Sequence, residues 1–244
     1  MTAGGVAVCL VLVAGAAVGA GAAVGRSVRR FDGWIHLLVG WFLGMVFLTV
    51  GVVTAAALLG HIPRAAMDLL LVALPGSVAA QLSVVGMAWA SGRGIALTHP
   101  GWRWLAAAGP ALGMVVGSWY AWDALANALG IAIVEQPIVV LIRSAAWASP
   151  LGGLRLLGAF GAPILEEALF RGWLQGILAE KLGGWVALVL VAVAFTLLHA
   201  DTPTALPPIL LLSFAVGWLR LRSGSVVPGL VVHICNNTLS LLLG

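Results

Sequence analysis

Residues 163 to 171 read Pro163-Ile164-Leu165-Glu166-Glu167-Ala168-Leu169-Phe170-Arg171. Two adjacent acids and a base stand in a largely apolar run from 151 to 178. A charge at bilayer depth costs roughly 2.5 to 3.5 kcal/mol on insertion scales. Such residues mark a functional site unless they only form a buried ion pair that fixes helix packing.

Composition sets the surroundings of this stretch. The chain has 244 residues, 62% hydrophobic and 8% charged, against about 25% charged in soluble domains. Mean hydropathy is +1.12. These values specify an all-α, polytopic, integral membrane protein. At about 20 apolar residues per span the length accommodates about eight transmembrane helices. The net charge of +4 is spread thinly, with no basic block for nucleic acid. Cys9 and Cys235 lie in apolar runs, with no CxxC spacing and no disulfide framework.

Working outward, the first span covers residues 4 to 25. No positive charge precedes it and Arg26, Arg29 and Arg30 follow, so it reads as a span rather than a signal peptide. Gly15/Gly19 and Gly21/Gly25 both have the spacing that lets membrane helices approach closely, and Gly40/Gly44 repeats it in the second span, 34 to 59. The turn His61-Ile62-Pro63-Arg64 follows. The third span, 66 to 90, is expected to be interrupted at Pro75-Gly76. A loop from 91 to 104 carries Trp102 and Trp104, suited to an interface belt. The fourth span covers 105 to 131, with Asp123 near its end. Residues 135 to 150 read as a surface or re-entrant amphipathic segment that Trp147 anchors. The last four spans are 151 to 179, 185 to 199, 209 to 221 and 226 to 243. The chain thus divides into N-terminal helices with a short amphipathic segment (1–150) and a membrane core formed by the last four helices (151–244). The Lys and Arg bias of the loops favours both termini outside.

Polar residues in those last spans fall in one layer. Glu166 lies 13 residues before Ala179, His199 lies 14 after Trp185, and His233 and Asn237 lie 7 and 11 after Val226. At about 1.5 Å per residue these are depths of about 20, 21, 11 and 17 Å. Glu167 and Arg171, at i and i+4, form a favourable helical ion pair. Glu166 points away from that pair, without a partner on its own helix, as suits a general base or acid. His233 and Asn237 share a helix face. Phe195, four residues before His199, is placed to pack beneath it.

An acid, two imidazoles and an amide donor fit hydrolysis. Glu166, tuned by His199, takes a proton from water, and the water attacks a carbonyl. His233 and Asn237 donate to the oxyanion, while Glu167 and Arg171 support Glu166. The same chemistry allows a second arrangement, in which Glu166, His199 and His233 bind zinc or another divalent metal as a His₂Glu set. Spacing does not choose between them. Proton-coupled transport is a further use of membrane Glu and His, though no inverted repeat is evident. His36, His61 and His99 sit near span ends or in loops. Asn236 faces away from Asn237 and reads as a spectator, like Cys235.

These residues resemble a known family. EEALFR at 166–171 is similar to its EExxxR motif, FTLLH at 195–199 to FxxxH, and HICNN at 233–237 to a His followed four residues later by Asn or Asp. The family is CPBP, the intramembrane proteases that include the type II CAAX prenyl proteases and relatives tied to bacteriocin immunity. The resemblance implies a four-helix membrane core and an endopeptidase acting on a peptide or a lipidated, CAAX-like protein. Its catalytic set would be Glu166, His199, His233 and Asn237, with Glu167 and Arg171 in support. It also implies a membrane lipid environment, with the bacterial cytoplasmic membrane the expected location. The alternative is a non-catalytic immunity or scaffold protein on the same fold.

Overall fold

The structure is a computed structural model, describing residues 3–59, 66–93, 95–144 and 153–243. The turn at 61–64 and Trp147 lie outside the described residues. All the regular structure described is helical. The chain forms two compact units, Met1–Ile95 and Ala96–Gly244.

The first unit holds α1 (Ala3–Val28), α2 (Gly33–Leu59) and α3 (Ala66–Ala90), with α3 packed on both α1 and α2. Glycines bring the backbones together. A Cβ on Gly21 would stand 2.0 Å from the Ser83 carbonyl oxygen, and one on Gly25 would stand 2.3 Å from that of Met87. Gly15 and Gly19 have nothing within 4 Å of such an atom. Of the two equivalent spacings in α1, only the second is a packing face. The interruption expected at Pro75-Gly76 is absent, since α3 runs through it. Here Gly76 meets α2 directly: a Cβ on Gly51 would lie 2.5 Å from the Gly76 Cα. Proline's missing N–H costs one backbone hydrogen bond, and the close packing on α2 holds the helix through that loss.

The second unit begins with α4 (Trp102–Ala128) and the short α5 (Pro137–Ser144). Helix α6 (153–182) follows, then α7 (Gly184–Leu197), α8 (Leu206–Ser223) and α9 (Val227–Leu243). Ala108 and Val115 of α4, Leu212, Val216 and Leu219 of α8 and Val232 of α9 form a buried core. The aromatic rings of Trp104 and Trp218 meet edge to face at 5.8 Å. Gly183 alone joins α6 to α7, at φ 88°. That left-handed conformation reverses the chain in one residue, and only glycine adopts it without a Cβ clash. Antiparallel packing of α6 on α7 follows.

Each predicted span coincides with a helix in α1–α4 or α6–α9, and α5 falls in the predicted amphipathic segment. Among the described residues, four helical stretches suffice by length and apolarity to cross a membrane: Val8–Val28, Gly33–Leu58, Ala73–Ala90 and Pro203–Ser223. Helices α7 and α9 are apolar but shorter. Large side chains such as Leu38, Trp41 and Phe42 are exposed, and in water such faces would be costly. The chain is an integral membrane protein.

Candidate active site

Helix α6 carries the two glutamates, and it is not a uniform α-helix. Leu157–Gly161 and Glu167–Leu174 are π-helical. The i+5 hydrogen bonding of such stretches is rare and gathers at functional sites. The second stretch begins at Glu167, so the pitch changes between the two acids. Glu167 and Arg171 are 1% and 0% exposed, whereas the Glu166 side chain retains 20%.

His233 of α9 lies between the two acids. Its Nδ1 is 2.8 Å from Glu167 Oε1 and its Nε2 is 3.6 Å from Glu166 Oε2. The same Glu167 oxygen is 3.1 Å from Arg171 Nη1. A carboxylate paired with arginine accepts hydrogen bonds, so Nδ1 of His233 carries a proton. The Arg171 side chain also donates from Nη2 to the Ser213 hydroxyl at 2.7 Å and to the Ser213 carbonyl at 3.2 Å. Its guanidinium stands 4.5 Å above the Phe195 ring. Arg220 Nε donates back to the Arg171 carbonyl at 3.2 Å, and Gln175 Nε2 donates to the Gly217 carbonyl at 3.0 Å. These bonds tie α6 to α8 and fix the azimuth of Glu167.

Phe195 is the aromatic floor of the site. Its ring lies 5.0 Å from His199, 5.8 Å from His233 and 5.2 Å from Phe170. His199 stands in the turn just beyond α7, with Nδ1 3.0 Å from the Phe195 carbonyl. Because a carbonyl only accepts, Nδ1 of His199 is also the protonated nitrogen. Among the described residues no ion pair joins His199 to Glu166. The imidazole in ion-pair range of Glu166, at 3.6 Å, is that of His233.

Asn237 donates from Nδ2 to the Gly158 carbonyl at 3.1 Å, in the first π-helical stretch. Asn236 is no spectator. It is buried, and its Oδ1 accepts from Trp119 Nε1 at 3.2 Å while its Nδ2 donates to Asn237 Oδ1 at 3.4 Å. Ser213, Gln175, Trp119 and Asn236 are polar groups that spacing alone did not single out, because their partners lie on other helices. Cys235 is a half-buried free thiol. Outside the site, His99 Nδ1 accepts from the Gly101 amide at 3.1 Å.

The metal arrangement of Glu166, His199 and His233 requires three ligands around one point. Among the described residues no three His, Cys, Asp or Glu side chains converge closely enough to hold an ion, so no step below is routed through one.

Part of the chain is similar to known proteins. Residues 148–239 match the family described as type II CAAX prenyl endopeptidase Rce1-like. The UPF0177 protein YxdF of Lactococcus lactis subsp. lactis (strain IL1403) is 32% identical over 71 residues. That alignment covers 29% of this chain and 38% of the relative. No solved structure matches. The segment bearing both glutamates, both imidazoles and Asn237 is thus similar to the type II CAAX prenyl endopeptidase Rce1-like family.

Proposed function

We propose that the protein is an intramembrane endopeptidase that hydrolyses a peptide bond in a membrane-associated or lipidated, CAAX-like substrate. The observation that carries this reading is the single imidazole of His233 set between adjacent carboxylates, one of them matched by a buried arginine. Glu167 is matched by the buried Arg171 guanidinium, as a charge in a low-dielectric site requires.

Each group then has a distinct role. Glu166, the partly accessible acid, takes the proton from water as the water oxygen attacks the carbonyl and returns it to the amine as the C–N bond breaks, a contribution of about 10²- to 10⁴-fold. Glu167 is spent on Arg171 and His233 and holds the imidazole in orientation. The Nε2–H of His233 stands beside Glu166 and donates to the oxyanion as charge develops. The Asn237 amide is the second donor, and the developing oxyanion competes with the Gly158 carbonyl for it. Each well-placed donor is worth about 3 to 4 kcal/mol in the transition state. His199, packed against the Phe195 ring at a tilt, walls the site. Chemistry among apolar helices fits substrates presented from the lipid, and the similar family is that of prenyl endopeptidases.

The test is cleavage of internally quenched peptides, farnesylated and unfarnesylated, by the full-length protein in lipid nanodiscs. Glu166→Gln is expected to reduce turnover at least about 100-fold with the fold intact. Undiminished cleavage by the variant rules out Glu166 as base.

A further inference from the structure

Asn237 can meet an oxyanion with its NH₂ group or with its carbonyl oxygen, and only the first helps. An isolated asparagine amide flips between the two at little cost, so its orientation is set by its hydrogen-bond network. Three bonds run in series here. Trp119 Nε1 donates to Asn236 Oδ1 at 3.2 Å, Asn236 Nδ2 donates to Asn237 Oδ1 at 3.4 Å, and Asn237 Nδ2 donates to the Gly158 carbonyl at 3.1 Å.

The first member decides the direction of the series. An indole nitrogen is a donor only, so Asn236 must present its oxygen to Trp119. Its NH₂ is then turned to Asn237, which must accept with its own oxygen. The Asn237 NH₂ is left to face Gly158. The last acceptor agrees with the first donor, because a backbone carbonyl only accepts. The relay links α4, α9 and the first π-helical stretch of α6, and Asn236 is buried within it.

We propose that Trp119 and Asn236 are positioning residues for Asn237, transmitting the donor-only character of the indole through two amides. The Asn237 carbonyl oxygen is thereby engaged by Asn236, and its NH₂ group is left as the donor that Gly158 holds and the developing oxyanion can draw on. The proposal rests on the reading of Asn237 as an oxyanion donor. A merely structural pair would support the helices but leave the Asn237 orientation unchanged.

The chain has three asparagines, Asn127, Asn236 and Asn237, so selective ¹⁵N-asparagine labelling yields few side-chain amide signals, and Asn237→Ala assigns the key one. The experiment uses the full-length protein in nanodiscs. It combines these spectra with kcat and KM on an internally quenched farnesylated peptide. Trp119→Phe removes the donor and keeps an aromatic ring. It is expected to lower kcat about fivefold, the size of one hydrogen bond, with KM unchanged. The Asn237 amide resonances should shift, and the variant should cost nothing further in the Asn237→Ala background. Asn236→Ala breaks the relay at its second member and should give the same kcat loss and the same shift. Equal kcat losses with and without Asn237, or Asn237 resonances that stay in place in both variants, would overturn the relay. If the unaltered protein cleaves no peptide, the proposed function fails, and the Asn237 resonances decide the relay alone.

Discussion

Arg171→Met is the most informative perturbation of the site. Arg171 is fully buried and its partner Glu167 is 1% exposed, 3.1 Å away. Removing the guanidinium strands a carboxylate where water cannot reach it, which costs about 3 to 5 kcal/mol. Methionine keeps most of the apolar contact with Phe195, so the loss reports charge rather than packing. For a unit of this size each kcal/mol moves Tm by about 2 to 4 °C, so the variant should melt on the order of 10 °C lower. Eleven tryptophans allow intrinsic fluorescence to follow the transition in detergent. The discriminating measurement is the double variant Glu167→Gln/Arg171→Met. It removes both charges and leaves an amide oxygen to accept from His233 Nδ1. The double variant should be more stable than Arg171→Met alone, a coupling that no sum of independent effects produces. It should also lose turnover, because the His233 Nδ1 no longer has a charged carboxylate to orient the ring. A double variant as unstable as the sum of its parts would refute the buried-pair reasoning.

Other expectations follow from the same contacts. Gly21→Ala places a Cβ 2.0 Å from the Ser83 carbonyl oxygen, so backbone must move. Melting should show a loss of about 1 to 3 kcal/mol, as for overpacking. Gly19→Ala meets nothing within 4 Å and should be neutral or stabilising by up to about 1 kcal/mol. Equal losses in the two variants would remove the Gly21 contact face as the cause. Ser213→Ala deprives the Arg171 side chain of its 2.7 Å acceptor and should cost about 1 to 3 kcal/mol in thermal unfolding, while Ser213→Thr retains the hydroxyl and most of the stability. Glu166→Gln, at a side chain that keeps 20% exposure, should leave Tm within about 2 °C of the unaltered protein.

Composition and motif spacing made the helical membrane architecture legible, and they marked Glu166, His199, His233 and Asn237 as residues of one depth. The reason is that lipid admits a charge only where something compensates it, so each polar residue in an apolar run is conspicuous. Which helix face turns inward was not legible, because a helix apolar all round carries no amphipathic stripe. Gly15/Gly19 and Gly21/Gly25 are indistinguishable by spacing, yet only the second pair touches a neighbour. Counting at 3.6 residues per turn separated Glu166 from the Glu167–Arg171 pair but assumed one pitch, and the π-helical stretch from Glu167 changes it.

Sequence alone pointed to an acid, two imidazoles and an amide at similar depths along three apolar segments. Tertiary structure decided that His233 contacts both acids, and that Asn236 joins Trp119 to Asn237. Depth along a helix follows from residue number at fixed rise. Partnership across helices depends on rotation and approach, and those are set by glycine contacts and buried hydrogen bonds between segments distant in the chain.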